Sequence, residues 1–131
     1  MKKPEPGGQS ILEFALTLPI FLAIVVGVVD VGHAVVARSL LANCAREGAR
    51  SAIFPQTADA TVISAVNSQA LFLGTIPSSD ISISPTTTSA RVSGTTVTVT
   101  VTYQFHPITP LAREAMGSIL TMTSNSTMAI E

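Results

Sequence analysis

From Ile11 to Val29 the chain reads ILEFALTLPIFLAIVVGVV, with Glu13 as its one charge. A run of that length and apolarity leaves few folds open. As a helix it extends roughly 28 Å at ~1.5 Å per residue, which matches a hydrocarbon core about 30 Å thick. One membrane span, at about residues 11–29, is the expected structure. Pro19 would break a helix in water, but a membrane helix tolerates proline, usually with a kink. Ala23 and Gly27 stand four apart, a small-xxx-small pair that allows close approach of a second helix and also arises by chance in apolar runs.

The whole chain has 131 residues, room for one modest domain. It is 47% hydrophobic and 11% charged, against roughly 25% charged in an ordinary soluble domain. That deficit, with a mean hydropathy of +0.50, argues against a soluble enzyme. It also argues against disorder, which needs low hydrophobicity and high charge. A net charge of -1 offers no basic surface to nucleic acid. Cys44 is the single cysteine, so an internal disulfide is excluded. His33 and His106 are the two histidines; they fall in different segments, and no carboxylate is read at ligand spacing to either. No metal site, cofactor or catalytic base is therefore expected. No GxSxG, HExxH, P-loop or CxxC pattern occurs. Asn125-Ser126-Thr127 fits a glycosylation sequon, a match common by chance.

Lys2 and Lys3 precede the span, and Arg38 and Arg46 follow it within about 20 residues, the range of the positive-inside bias. The count is a tie. The short leading segment and the hydroxyl-rich C-terminal part favour a cytoplasmic N-terminus and a head outside. A removable secretory signal is the competing reading, with Val35-Val36-Ala37 as its cleavage site. The apolar run exceeds the usual length of about 7–15 residues, and Glu13 stands at its mouth, so a retained span is preferred.

Asp30, His33 and Arg38 mark the exit from the span, but no Gly-Pro break follows. Ala34, Ala37, Leu41, Ala45, Gly48 and Ala52 recur at three- or four-residue steps, giving a small-residue face suited to close packing. Arg46 and Arg50 share a side, and Glu47 stands three before Arg50, where it can pair. Pairs with Glu47 and strand carbonyls are preferred over an anionic lipid surface as the role of these arginines. Pro55 ends the helix by pushing Phe54 out of the α region. A helix from about Ile11 to Ile53 would be roughly 65 Å long.

A second helix is expected from Ala58 to Leu73, capped by Asp59 or Thr57, with Val62, Val66, Ala70 and Leu73 as its stripe. Gly74 and Pro77 close it. Ile81 to Ser84 alternates as a short strand. Pro85 to Gly94 is a loop with Gly94 as pivot. In the strand Thr95 to Phe105, Val97, Val99, Val101, Tyr103 and Phe105 face one way and Thr98, Thr100 and Thr102 the other. Leu111 to Gly117 suits a short helix. Ile119 to Ile130 is a third strand, with Leu120, Met122, Ser124, Ser126, Met128 and Ile130 on one face. The expected fold is α+β: a long N-terminal helix packed on a small antiparallel three-stranded sheet with a second helix. The uncharged Thr/Val strand is also an aggregation-prone pattern; it is read as a central strand, covered in the fold.

Glu13 is costly in an apolar span, by about 2.5–3.5 kcal/mol for an acid at the centre and less near the edge. A helix dipole favours an acid at that end. Upstream, Gly8 is followed by Gln9-Ser10-Ile11-Leu12, then Glu13 and Phe14. The pattern G-QSIL-E-F resembles the processing site of type IV prepilins, in the Glu-aromatic form of the tight-adherence (Tad) branch. In that family a membrane aspartyl peptidase cuts after the glycine. Glycine leaves the backbone accessible. Cleavage would free the amine of Gln9, which can pair with a Glu13 carboxylate more cheaply than either charge stands alone in lipid.

The segments QSILEFALTLP and VGVVDVGHAVVARSLLANCAREGAR together resemble the TadE-like family over about residues 8–53. The residues that carry the resemblance are Glu13, Phe14, Ala15, Leu16, Leu18, Pro19, Asp30, Gly32 and Ala45 to Arg50 (Ala45, Arg46, Glu47, Gly48, Ala49, Arg50). Cys44 and His33 depart from it, where a small residue and an arginine are more usual. The resemblance implies a pseudopilin or minor pilus-associated subunit of a Tad-type pilus assembly or secretion system. It implies a pilin-like fold, a leader at 1–8, a long helix at 9–53 and an exported α+β head at 54–131. The partners implied are a prepilin peptidase, other pilin-like subunits, the Tad assembly platform and membrane lipid, with no nucleic acid. The place implied is the inner membrane, crossed once. The chain is not expected to be an enzyme. Two alternatives remain: an uncleaved membrane-anchored surface or secretion-accessory protein, and a secreted β-rich binding domain beginning near Ala37.

Overall fold

The computed structural model describes residues 6–131. Lys2, Lys3 and most of the expected leader lie outside the described residues. Helix α1 (Pro6–Ser51) has 46 residues, roughly 69 Å at the usual rise. It passes through Pro19 without ending. It is followed by α2 (Asp59–Gln69), β1 (Ile81–Ser84), β2 (Thr96–Phe105), α3 (Pro110–Met116) and β3 (Leu120–Ala129). The α+β layout is the expected one.

The end of α1 comes at Ser51, two residues before Ile53. The backbone N–H of Ala52 is shared between the carbonyls of Gly48 (3.2 Å) and Ala49 (3.1 Å), and Ser51 Oγ donates to Gly48 O at 2.7 Å. The last turn therefore tightens before Pro55 can act. Helix α2 is shorter than expected: it stops at Gln69, and Ala70 is its C-cap. Neither Asp59 nor Thr57 caps it; the N-cap is Ala58, without a side-chain cap bond. Asp59 is instead drawn to Arg91, whose Nη1 lies 2.6 Å from Asp59 Oδ1. Arg91 is fully buried and also donates to Pro85 O (3.0 Å) and Thr57 O (3.0 Å). It ties the loop between β1 and β2 to the start of α2. Sequence reasoning passed over Arg91; the signal was a lone cation in a stretch of hydroxyl residues.

The strands form one antiparallel sheet in the order β1-β2-β3. Val101 stands opposite Ile81 and Ser124, and Val99 opposite Ile83 and Ser126. This register sends Val97, Val99, Val101 and Phe105 into the core. Tyr103 is half-buried on the same face. The threonines take the other face, where Thr98 and Thr127 share a hydroxyl–hydroxyl bond of 2.8 Å. The aggregation-prone strand is thus the central one, paired on both edges.

The core lies between sheet, α1 and α2. Its α1 members are small: Leu41 is joined by Cys44, Ala45, Ala49 and Ala52, all fully buried. Gly48 is where the three layers meet. A Cβ placed there would stand 2.6 Å from Val66 Cγ2 of α2 and 3.0 Å from Val99 Cγ1 of β2. Valines are stiff at χ1 and cannot swing aside freely. Gly48→Val is therefore expected to overpack this seam and cost about 1–3 kcal/mol, read as a lower denaturation midpoint of the head. An unchanged midpoint would contradict the packing.

Candidate functional site along the long helix

The first turns of α1 carry the residues of the expected processing site. Gly8 and Gln9 are exposed, and no atom lies within 4 Å of a Cβ built on Gly8. Gln9 Nε2 donates to Glu13 Oε1 at 3.4 Å, one turn on. Gln9 and Glu13 therefore share a side of the helix, as i and i+4 must. Glu13 and Phe14 are both exposed, and so is almost every apolar side chain from Ile11 to Val29. Among the described residues little covers this half: Thr109 and Pro110 line a groove with Pro19, Leu22, Ala23 and Val26. It is long and apolar enough to cross a membrane, with a mean hydropathy of 2.5 in its most apolar window. Ala23 is exposed and Gly27 half-buried.

Asp30, read in the sequence as marking the exit from the span, has long-range partners. It is buried. Its carboxylate accepts from Ile108 N (3.1 Å), from Thr109 N (2.9 Å) and from the Thr109 hydroxyl. Thr109 Oγ1 in turn accepts from Ala112 N at 3.2 Å, and so caps α3 while holding Asp30. Arg113 Nε donates to Pro107 O at 2.8 Å and closes the loop. Pro110 follows the cap, the position where proline costs least. A carboxylate with three donors is a strong fastening. Gly32 is exposed with open space around it.

His33 and His106, distant in sequence, line one groove of about 410 Å³ with Val36, Leu40, Phe72 and Ile108. The sequence reading also missed that Asp30 stands three residues, one helical turn, before His33. Even so, no cluster of three or more metal-ligating side chains is present among the described residues.

Further along, the packed half of α1 carries Arg46, Glu47, Gly48 and Arg50. Arg46 and Arg50 are exposed and Glu47 is half-buried. The expected pairing is absent: among the described residues the one ion pair is Arg91 with Asp59. Exposed pairs on a helix gain little and cost side-chain entropy. Arg50 lies in the last turn, where a cation complements the helix dipole. Cys44 is buried, and desolvation pushes its thiol above the usual pKa.

Comparison with known families decides what kind of helix this is. Residues 8–50 match the family of TadE-like proteins. The TadE-like segment begins at Gly8 and ends one residue before α1 does. It includes the bare apolar half, Asp30 and the whole Ala45–Arg50 run, and it leaves the head outside. No curated protein and no solved structure matches the chain.

Two outcomes test these contacts. In Asp30→Ala the amides of Ile108, Thr109 and Ala112 should exchange hydrogen faster than in the parent protein, while those of β2 should not. Equal exchange throughout would mean that the Asp30 contact does not hold α3. Cys44 should react with a thiol reagent at least ~100-fold more slowly in the folded protein than in denaturant, because it is both shielded and protonated. Comparable rates would contradict its burial.

Proposed function

We infer that this chain is a pseudopilin or minor pilus-associated subunit of a Tad-type pilus system. The coarser statement, a Tad pilus-associated protein of a structural family, follows from the TadE-like match. The finer one rests on a single observation. One continuous helix has a bare apolar first half and a second half covered by a folded head. That division suits a subunit held by lipid at one end and presenting a head at the other. In this reading a prepilin peptidase cuts after Gly8 from the cytoplasmic side. The helix crosses the inner membrane over about 11–29, and the head stands outside. The freed Gln9 amine pairs with Glu13, its own or a neighbour's, a pairing that the shared helix side of Gln9 and Glu13 favours. Exposed Phe14 and the Ala23–Gly27 pair then offer contacts to neighbouring pilin-like subunits and the assembly platform. No catalytic role is assigned.

Cleavage requires the first turn of α1 to open around Gly8. Helix ends lack half their hydrogen bonds, and glycine is the poorest ordinary helix former after proline, so that opening is a small step. Mass spectrometry of the protein from cells with an active prepilin peptidase should find Gln9 at the N-terminus. Gly8→Leu should leave the leader attached. An intact leader in the parent protein would support the uncleaved anchored form instead, and normal maturation of Gly8→Leu would remove Gly8 as the site.

A further inference from the structure

The expected span covers about residues 11–29, with Asp30, His33 and Arg38 marking its exit. Asp30 turns inward to Ile108 and Thr109, so it presents no charge on the outer surface of α1. Beyond it the exposed surface stays apolar: Val31, Val35 and Val36 are each more than half exposed. His33 is the one titratable group among the exposed residues of α1 between Asp30 and Arg38.

The head adds to this surface. Leu71 is 81% exposed, Phe72 84% and Ile108 64%. Phe72 and Ile108 share a groove with Val36 and Leu40, so they sit level with this part of α1. On another side Thr109 and Pro110 line a groove of about 420 Å³ with Pro19, Leu22, Ala23 and Val26. Those residues precede Asp30 by four to eleven positions, or roughly 6–16 Å along the helix. The head therefore reaches down beside the apolar span and does not stand clear of it. An exposed apolar patch of this kind marks an interaction surface. This one is continuous with the bare helix, so the neighbour of the one is the neighbour of the other.

Resting on the membrane reading above, we propose that the outer-leaflet interface of the bilayer covers Val31 to Val36 together with the Leu71, Phe72 and Ile108 rim, and that the membrane boundary lies at Arg38. The lengths agree. From Ile11 to Ala37 a helix is about 40 Å long. That exceeds a hydrocarbon core of about 30 Å but fits the roughly 40–45 Å of core plus headgroups. His33 and His106, which line the groove with Val36 and Phe72, are exposed, as side chains at headgroup depth are. Asp30 is what permits the arrangement: with its carboxylate satisfied inside, the helix can sink past it.

The test is a depth measurement on the full chain in lipid vesicles. Single cysteines replace Val25, Val35, Phe72, Ile108 and Thr123 in a Cys44→Ala background and carry a nitroxide. All five are exposed positions, so the labels leave the core intact. Collision with oxygen, which concentrates in lipid, is compared with collision with a water-soluble nickel chelate. Labels at Val35, Phe72 and Ile108 should favour oxygen several-fold over the label at Thr123, as Val25 does. If Val25 favours oxygen while Phe72 or Ile108 behaves like Thr123, the proposal fails and the span survives. If Val25 itself behaves like Thr123, the membrane reading fails and takes the proposal with it. Protection from both agents that grows with the protein-to-lipid ratio would make the cover a second copy of the chain, and would overturn lipid as the neighbour.

Discussion

The close packing of Val66 and Val99 on Gly48 sets how the head lies on α1. With no Cβ at that position, Val66 of α2 and Val99 of β2 close directly on α1. Ala45, Ala49 and Ala52 extend the same allowance along the helix. Close packing in a core tolerates neither gaps nor surplus volume, so the small-residue face of α1 fixes how near the sheet can lie. The sheet register follows from it. Val97, Val99 and Val101 must point at that face, and strand alternation then sends every intervening threonine outward.

Asp30 is the second fastening, eighteen positions before Gly48 and roughly 27 Å away along the helix. Gly48 works by shape and Asp30 by charge-assisted hydrogen bonds. Together they hold the head along the second half of α1, so that head and helix move as one body there. Before Asp30 no such fastening is found among the described residues, and most apolar side chains face outward. A subunit of a membrane-anchored assembly needs both conditions on one helix. In the proposed role the bare half meets lipid or neighbouring helices, and the covered half carries the head. The TadE-like match covers residues 8–50 and so spans both halves of α1.

Much of this was legible in the chain. The apolar run, the three- and four-residue recurrence of small residues, and the Val/Thr alternation each report a local period. The fold they imply is the one observed. What escaped depends on partners far away in sequence. Asp30 reads as an exit marker until Ile108 and Thr109, 78 and 79 residues later, turn it into an internal anchor. Arg91 has no local pattern at all; its meaning comes from Asp59, Thr57 and Pro85 converging on it. That same convergence takes Asp59 away from the capping role its position suggested. The Arg46, Glu47 and Arg50 group failed for the opposite reason. Its spacing allows pairing, but an exposed pair is worth too little to order three long side chains. The residues proposed for processing, Gly8, Gln9, Glu13 and Phe14, are a matter of motif; the fold adds exposure of all four and a shared helix side for Gln9 and Glu13.

The central claim is that one continuous helix is supported by two independent environments, lipid along its exposed apolar part and the packed head from Leu41 on. Amide hydrogen exchange of the full chain in lipid vesicles, followed through a urea titration, tests it most directly. The account predicts that amides 41–51 of α1 lose protection together with Val97 to Val101, while amides 15–26 remain protected. Loss of protection along the whole helix in a single step would contradict it, as would amides 41–51 that stay protected after the strands have opened.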